Sequence, residues 1–152
     1  MKSKLILLFC TLPLMAADPA GFALWTASDL TGMEKKLSEK VDKARFASKQ
    51  LEKFGNHYTM LAHREGDGSS ELHETEADIF IVESGTATLV VGGEMVGAKT
   101  TAPNEVRGTS VKNGVEHRLG PGDIVHIAAK TPHQLLLGGA KGFTYFVIKV
   151  AE

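Results

Sequence analysis

The chain has 152 residues, enough for one domain with a proper core and too few for two comfortable ones. Apolar residues make up 43% and charged residues 23%, the mix of a globular protein rather than a disordered or fibrous one. The formal net charge of -1 gives no global pull toward nucleic acid or anionic lipid, and basic residues are not clustered with aromatics, so no nucleic-acid partner is expected.

Residues 1–17 read as a secretory signal peptide. Lys2 and Lys4 supply the basic start, Leu5 to Met15 the apolar stretch, broken by Thr11 and Pro13, and Ala16-Ala17 the small residues for cleavage. The apolar run is shorter than the ~20 residues a membrane span needs, so no stable span is expected after cleavage; an uncleaved anchor is the competing reading. Cys10, the only cysteine, lies inside this segment, and the bulky Phe9 before it argues against a lipidated site. The mature chain would then have no disulfide, no thiolate ligand and no cysteine nucleophile. A cysteine-free exported domain points to a periplasmic or secreted location in a bacterium.

Residues 18–55 read as a lead-in and a helix. Residues 18–28 are expected to be extended, with Phe22 and Trp25 free to pack on the domain. Leu30, Met33, Leu37, Val41, Ala44, Leu51 and Phe54 follow helical spacing, which predicts one amphipathic helix over 29–54, capped by Ser28 or Asp29 and ended by Gly55. A coiled-coil dimerisation arm and a helix lying on the outside of a barrel are both open. The short stripe, with its Ala and Met, favours the second.

From residue 56 the period becomes strand-like. Strands are predicted at 57–63, 71–75, 79–82, 86–91, 115–119, 124–127, 134–137 and 143–150, punctuated by glycine-rich turns. Residues 94–110 carry little periodicity and read as a long loop with a strand near 106–111. Asn113-Gly114 reads as a hairpin joining Val111 to Val115. Many short strands without repeated helices make residues 56–152 a mainly β sandwich or barrel.

Two stretches carry donor groups. Glu71 and His73 are two apart, so on a strand they face the same side, and Asp78 follows after a turn near residues 74–77. Far along the chain, Gly122-Asp123 leads through a strand and a corner to Thr131-Pro132-His133. Strand-borne donors this distant in sequence can meet in the mouth of a barrel and hold a transition metal. Asp123 reads as structural, bonding turn amides. No glycine-rich phosphate loop and no Gly-x-Ser-x-Gly elbow is present.

This arrangement resembles the cupin superfamily, small jelly-roll β-barrels with two motifs. The first is a pair of alternate histidines, a glutamate and then a glycine; here Glu71 and His73 stand at the histidine positions, Asp78 at the glutamate and Gly85 at the glycine. The second is a glycine-aspartate turn, a strand, a corner and a histidine, here Gly122-Asp123, Ile124 to Ile127, residues 128–130 and Thr131-Pro132-His133. The resemblance covers roughly residues 57–150, and it departs from the family at two of the three ligand positions of the first motif.

The resemblance implies a jelly-roll barrel whose metal would be held by Glu71, His73, Asp78 and His133. Two imidazoles and two carboxylates suit a divalent Mn, Fe, Ni or Zn ion and argue against Cu(I). Each residue has a plainer alternative. Glu71 can be a solvated strand carboxylate, Asp78 a strand-end cap or a partner holding a histidine, and the histidines packing residues. His126 is expected to line the pocket, because its strand leads to His133; His57, His63 and His117 are not expected to be ligands. Lys99 or Arg107 would meet an anionic substrate if the 94–110 segment covered the barrel mouth.

Functionally, the resemblance implies a metal-dependent enzyme of dioxygenase, isomerase or decarboxylase type acting on a small organic or sugar-like molecule. The alternatives are a non-catalytic small-ligand-binding module and an assembly role, and a homodimer is compatible with all three.

Overall fold

The computed structural model describes residues 17–152. The signal-peptide reading therefore falls almost wholly outside the described residues, with only Ala17 inside them. The elements run α1 (Ala27–Ser38), β1 (Phe46–Lys53), β2 (His57–Arg64), β3 (Ser70–His73), β4 (Glu76–Gly85), β5 (Ala87–Val91), β6 (Glu94–Val96), β7 (Lys99–Ala102), β8 (Glu105–Gly108), β9 (Ser110–Lys112), β10 (Val115–Leu119), β11 (Ile124–Ile127), β12 (His133–Leu136) and β13 (Phe143–Ala151).

The strands form two facing antiparallel sheets. One has the order β1-β2-β13-β4-β11, the other β10-β5-β12-β3-β8-β7, and β6-β9 makes a small third ribbon. Their inward side chains build the main core, with Phe80, Leu89, Leu135, Phe143 and Tyr145 all buried in it. The two-residue period of a strand decides which residues these are. On β13, Phe143, Tyr145, Val147 and Lys149 face the barrel, while Phe146 joins a second cluster on the outer face.

That outer cluster is where α1 packs. Leu37 is buried there with Leu61 and Phe146, and Trp25, Leu30 and Met33 pack against them; the Trp25 and Phe146 rings are 5.3 Å apart. The helix lies on the barrel, as the short stripe favours. Its cap is Thr26: the Thr26 hydroxyl accepts from the Asp29 amide, and the Asp29 carboxylate accepts from the Thr26 amide. Asp29 serves in the cap, but from the third helical position rather than the first.

Three expectations need correction. The helix stops at Ser38 instead of running to residue 54. The Asp42 backbone and side chain bond Phe46, Arg45 turns left-handed with φ 54°, and residues 46–53 then pair along β2 as an outer strand. Leu51 fits a helical stripe by spacing alone; the free edge of β2 outweighs local helix propensity.

The 94–110 stretch is not a loop but holds β6, β7 and β8. It is short of apolar residues because β7 is exposed throughout and β8 only half-buried, so no alternation marks it. Asn113, with φ 58°, does turn the chain, but β9 pairs with β6 and β10 with β5, so no β9–β10 hairpin forms. A turn sequence fixes where the chain bends, while the strands' partners are chosen by the sheets they bury against.

Candidate metal centre

The site lies between the two sheets. Glu71 and His73 point inward from β3, and His133 begins β12 directly across from Glu71. Beyond β3 the next strand, β8, places Arg107 opposite Glu71 and Glu105 opposite His73. From the facing sheet, β4 contributes Asp78 and β13 contributes Lys149, direct partners in the ladder. The second motif's corner is tied to the first, since the Lys130 amide donates to the His73 carbonyl at 2.7 Å.

Glu71, His73 and His133 each offer a donor atom, and these three atoms lie within 4.8 Å of one another. Asp78 sits beside both rings: its Oδ2 is 3.2 Å from His73 Nε2 and 3.5 Å from His133 Nε2. Both imidazoles are anchored through the other nitrogen. His73 Nδ1 donates to Glu105 Oε1 at 2.7 Å, and His133 Nδ1 donates to the Thr131 carbonyl at 3.0 Å. With the proton on Nδ1, each ring turns its Nε2 lone pair into the site, the arrangement that suits a metal ligand.

His133 Nε2 is buried without a hydrogen-bond partner among the described residues. The Asp78 carboxylate lies 3.5 Å from it and is likewise an acceptor. Two acceptors facing one another away from water are costly unless a proton or a cation lies between them. The donor set therefore fits a divalent metal, and Glu71, His73 and His133 are the residues that would hold it, with Asp78 alongside.

The cation already present is Lys149, which the sequence reading missed. Its ammonium lies 2.6 Å from His73 Nε2 and 2.5 Å from Asp78 Oδ1. The first is a hydrogen bond; the second is a charge contact, because Asp78 Oδ1 has no aligned hydrogen bond among the described residues. Alternation on β13 carries the clue: Lys149 shares the inward face of Tyr145 and Val147.

Charge is balanced around this point. Arg64 bonds Glu71 Oε1 at 3.1 Å, and Arg107 reaches Glu105 at 2.7 Å and Glu71 at 3.6 Å. Three carboxylates, Glu71, Asp78 and Glu105, thus meet three cations, Arg64, Arg107 and Lys149. Burial alone would raise the Asp78 pKa, but the Lys149 ammonium against the carboxylate opposes it, and the carboxyl is held far below the usual range. Burial also opposes charge on His73, yet the Asp78 and Glu105 carboxylates leave its pKa raised despite Lys149. The two influences conflict at Nε2, and geometry decides: an ammonium at 2.6 Å requires that nitrogen to accept.

Above the cluster opens a cavity of about 420 Å³. Phe46, Met60, Ala62, Phe80 and Val147 give it apolar walls; Arg64, Arg107, Tyr58 and Tyr145 give it polar groups. Burial pushes the Tyr145 phenol up to about 12, with Glu71 adding to it and Arg64 opposing. Burial and the charges of Glu76, Asp78 and Glu105 do the same for Tyr58, also to about 12. Both phenols are therefore O–H donors at neutral pH.

His126 does not line the cavity. Val125 is half-buried and Ile127 buried, so alternation sends His126 outward, where it is exposed; lying on the strand that leads to His133 does not put it on the same face. Lys99 is likewise exposed and outside the lining, whereas Arg107 is in it. His63 is buried but on the outer side, bonded to Thr144.

No protein-family model and no curated protein matches the chain. Solved structures do match its fold. A conserved protein with a double-stranded beta-helix domain from Klebsiella pneumoniae superposes with a TM-score of 0.53 at 16% identity, over 74% of this chain and 85% of that one. KdgF from Halomonas sp. gives 0.52 at 14% identity, over 74% and 84%. A Cupin 2 conserved barrel domain protein from Salinispora arenicola gives 0.50 at 16% identity, over 72% and 78%. The chain has the cupin fold. At these identities the likeness concerns the barrel alone, and the donor set has to be read from this chain's own residues.

Proposed function

We propose that this chain is an exported metal-binding cupin, working as a metal-dependent enzyme on a small anionic organic molecule. The observation that carries the metal is the buried, unpartnered Nε2 of His133, aimed at the same point as His73 Nε2 and the Glu71 carboxylate. An ion of the Mn, Fe, Ni or Zn class, when bound, would supply a Lewis acid at the floor of the cavity.

The protein's own groups do the rest. The cavity is of the size used for small ligands, about 300–1,000 Å³. Its walls exclude water with Phe46, Met60 and Phe80, and Tyr58 and Tyr145 offer hydroxyl donors. The preference for an anion follows from charge: the carboxylates and cations cancel, so a divalent ion leaves a local excess of positive charge. Arg107, one-third exposed, is the cation best placed to meet that anion.

Metal analysis of the purified exported protein tests the reading. Near-stoichiometric metal in the wild type, lost in His73→Ala and His133→Ala while both stay folded, is expected. A protein that cannot be loaded with Mn, Fe, Ni or Zn would sink it. A metal-free ligand-binding module is the second reading, and the position of Lys149 favours it: the lysine already gives His73 and Asp78 a cation. Mass spectrometry of the exported protein tests the leader; an intact Met1 end contradicts cleavage.

A further inference from the structure

Lys149 is placed where a barrel-facing lysine has no packing reason to be. Its neighbours on the inward face of β13 are Tyr145 and Val147, and it is 8% exposed. Its ammonium is bonded to the lone pair of His73 Nε2, the atom this site would turn toward a metal, and contacts Asp78. A lone pair serves one cation at a time. Two cations that close in a buried setting also repel strongly.

We propose that Lys149 is a built-in competitor for the metal: it fills the cation position of the empty site, and an ion binds only as Lys149 leaves His73 and Asp78. This rests on reading Glu71, His73 and His133 as the metal donors. The lysine keeps Asp78 compensated when no ion is present, so the empty barrel stays folded. It also sets the affinity, since metal entry includes the work of breaking that contact. The four-carbon stem is long enough to swing the ammonium into the adjoining cavity, which Lys149 itself lines.

The test uses the full-length mature chain stripped of metal and titrated calorimetrically with zinc or manganese chloride. Lys149→Met is expected to bind metal at least about tenfold more tightly than the wild type, and Lys149→Gln serves if the first variant fails to fold. Equal affinity in wild type and variant overturns the proposal. Binding by the variant but not by the wild type upholds it while removing metal from the native function. No binding by either overturns both readings. A readout on the wild type runs alongside: amine acylation at Lys149, followed by mass spectrometry, should speed up severalfold when metal is bound, and an unchanged rate with metal bound counts against the lysine's departure.

Discussion

Lys149 and Asp78 are direct partners on the β13–β4 ladder, and their charges meet at 2.5 Å with the carboxylate side chain 2% exposed. Removing one partner of a buried pair strands the other charge, which costs about 3–5 kcal/mol, whereas removing both can be nearly neutral. In the metal-free protein, Asp78→Asn and Lys149→Met should each lose on the order of 3 kcal/mol, and the double variant clearly less than their sum. Urea unfolding of the four proteins measures the coupling. Additive losses would mean the two side chains do not act as a pair.

Glu105 acts through His73. Its carboxylate holds the Nδ1 proton at 2.7 Å and so keeps the Nε2 lone pair turned into the site, where Lys149 meets it and an ion would bind. Loss of such a partner commonly weakens metal binding by about 10–100-fold. Glu105→Ala should do this without unfolding the protein, because Glu105 is only partly buried and its other partner, Arg107, is one-third exposed. A metal isotherm checks it, and unchanged affinity would remove Glu105 from the site.

The metal-free protein should be acid-sensitive. Asp78 has a folded pKa below its unfolded one, so its contribution to stability is full above the unfolded value, ~3.9, and is lost as pH falls through the carboxylate range toward the folded value. The urea midpoint of the wild type should fall below about pH 4 more steeply than that of Asp78→Asn, which lacks the group. Parallel curves for the two proteins would mean that other carboxylates carry the acid transition.

How much of this was legible in the sequence depends on where each residue sits. Glu71, His73 and His133 could be read because motif spacing and strand alternation both place them, and the barrel brings them within 4.8 Å. Arg107 could be named as a cation for an anionic substrate, but Glu105 could not be read as a partner of His73, because β8 is half-buried throughout and no alternation tells its inward face. Arg64 ends β2 and Lys149 lies two residues from the end of β13, and an isolated cation near the end of an apolar strand reads as its solvated end. The helix was half legible: α1 has a capping box and an apolar stripe, but β1 follows helical spacing and is a strand only because β2 offers it an edge. His126 failed for a simpler reason, since being on the right strand leaves the choice of face open.

Gly85, the glycine of the first motif, should tolerate no side chain, for two separate reasons. Its φ is +77°, and a Cβ there would lie 2.0 Å from the Gly142 carbonyl oxygen, a backbone atom that cannot step aside. Gly92 has nearly the same φ, +74°, but a Cβ would meet nothing within 4 Å. Gly92→Ala should therefore cost only the left-handed backbone penalty, about 1–2 kcal/mol. Gly85→Ala should cost clearly more, because Gly85 ends β4 opposite Phe143 and relief of the clash must part that ladder. Asp78 is on the same strand but seven residues away, and its partner Lys149 sits at the far end of the pairing. Gly85→Ala should thus lower the melting temperature while leaving metal affinity of the folded fraction intact. Equal melting temperatures for the two variants would show that conformation alone, and not the approach of Gly142, fixes glycine at this corner.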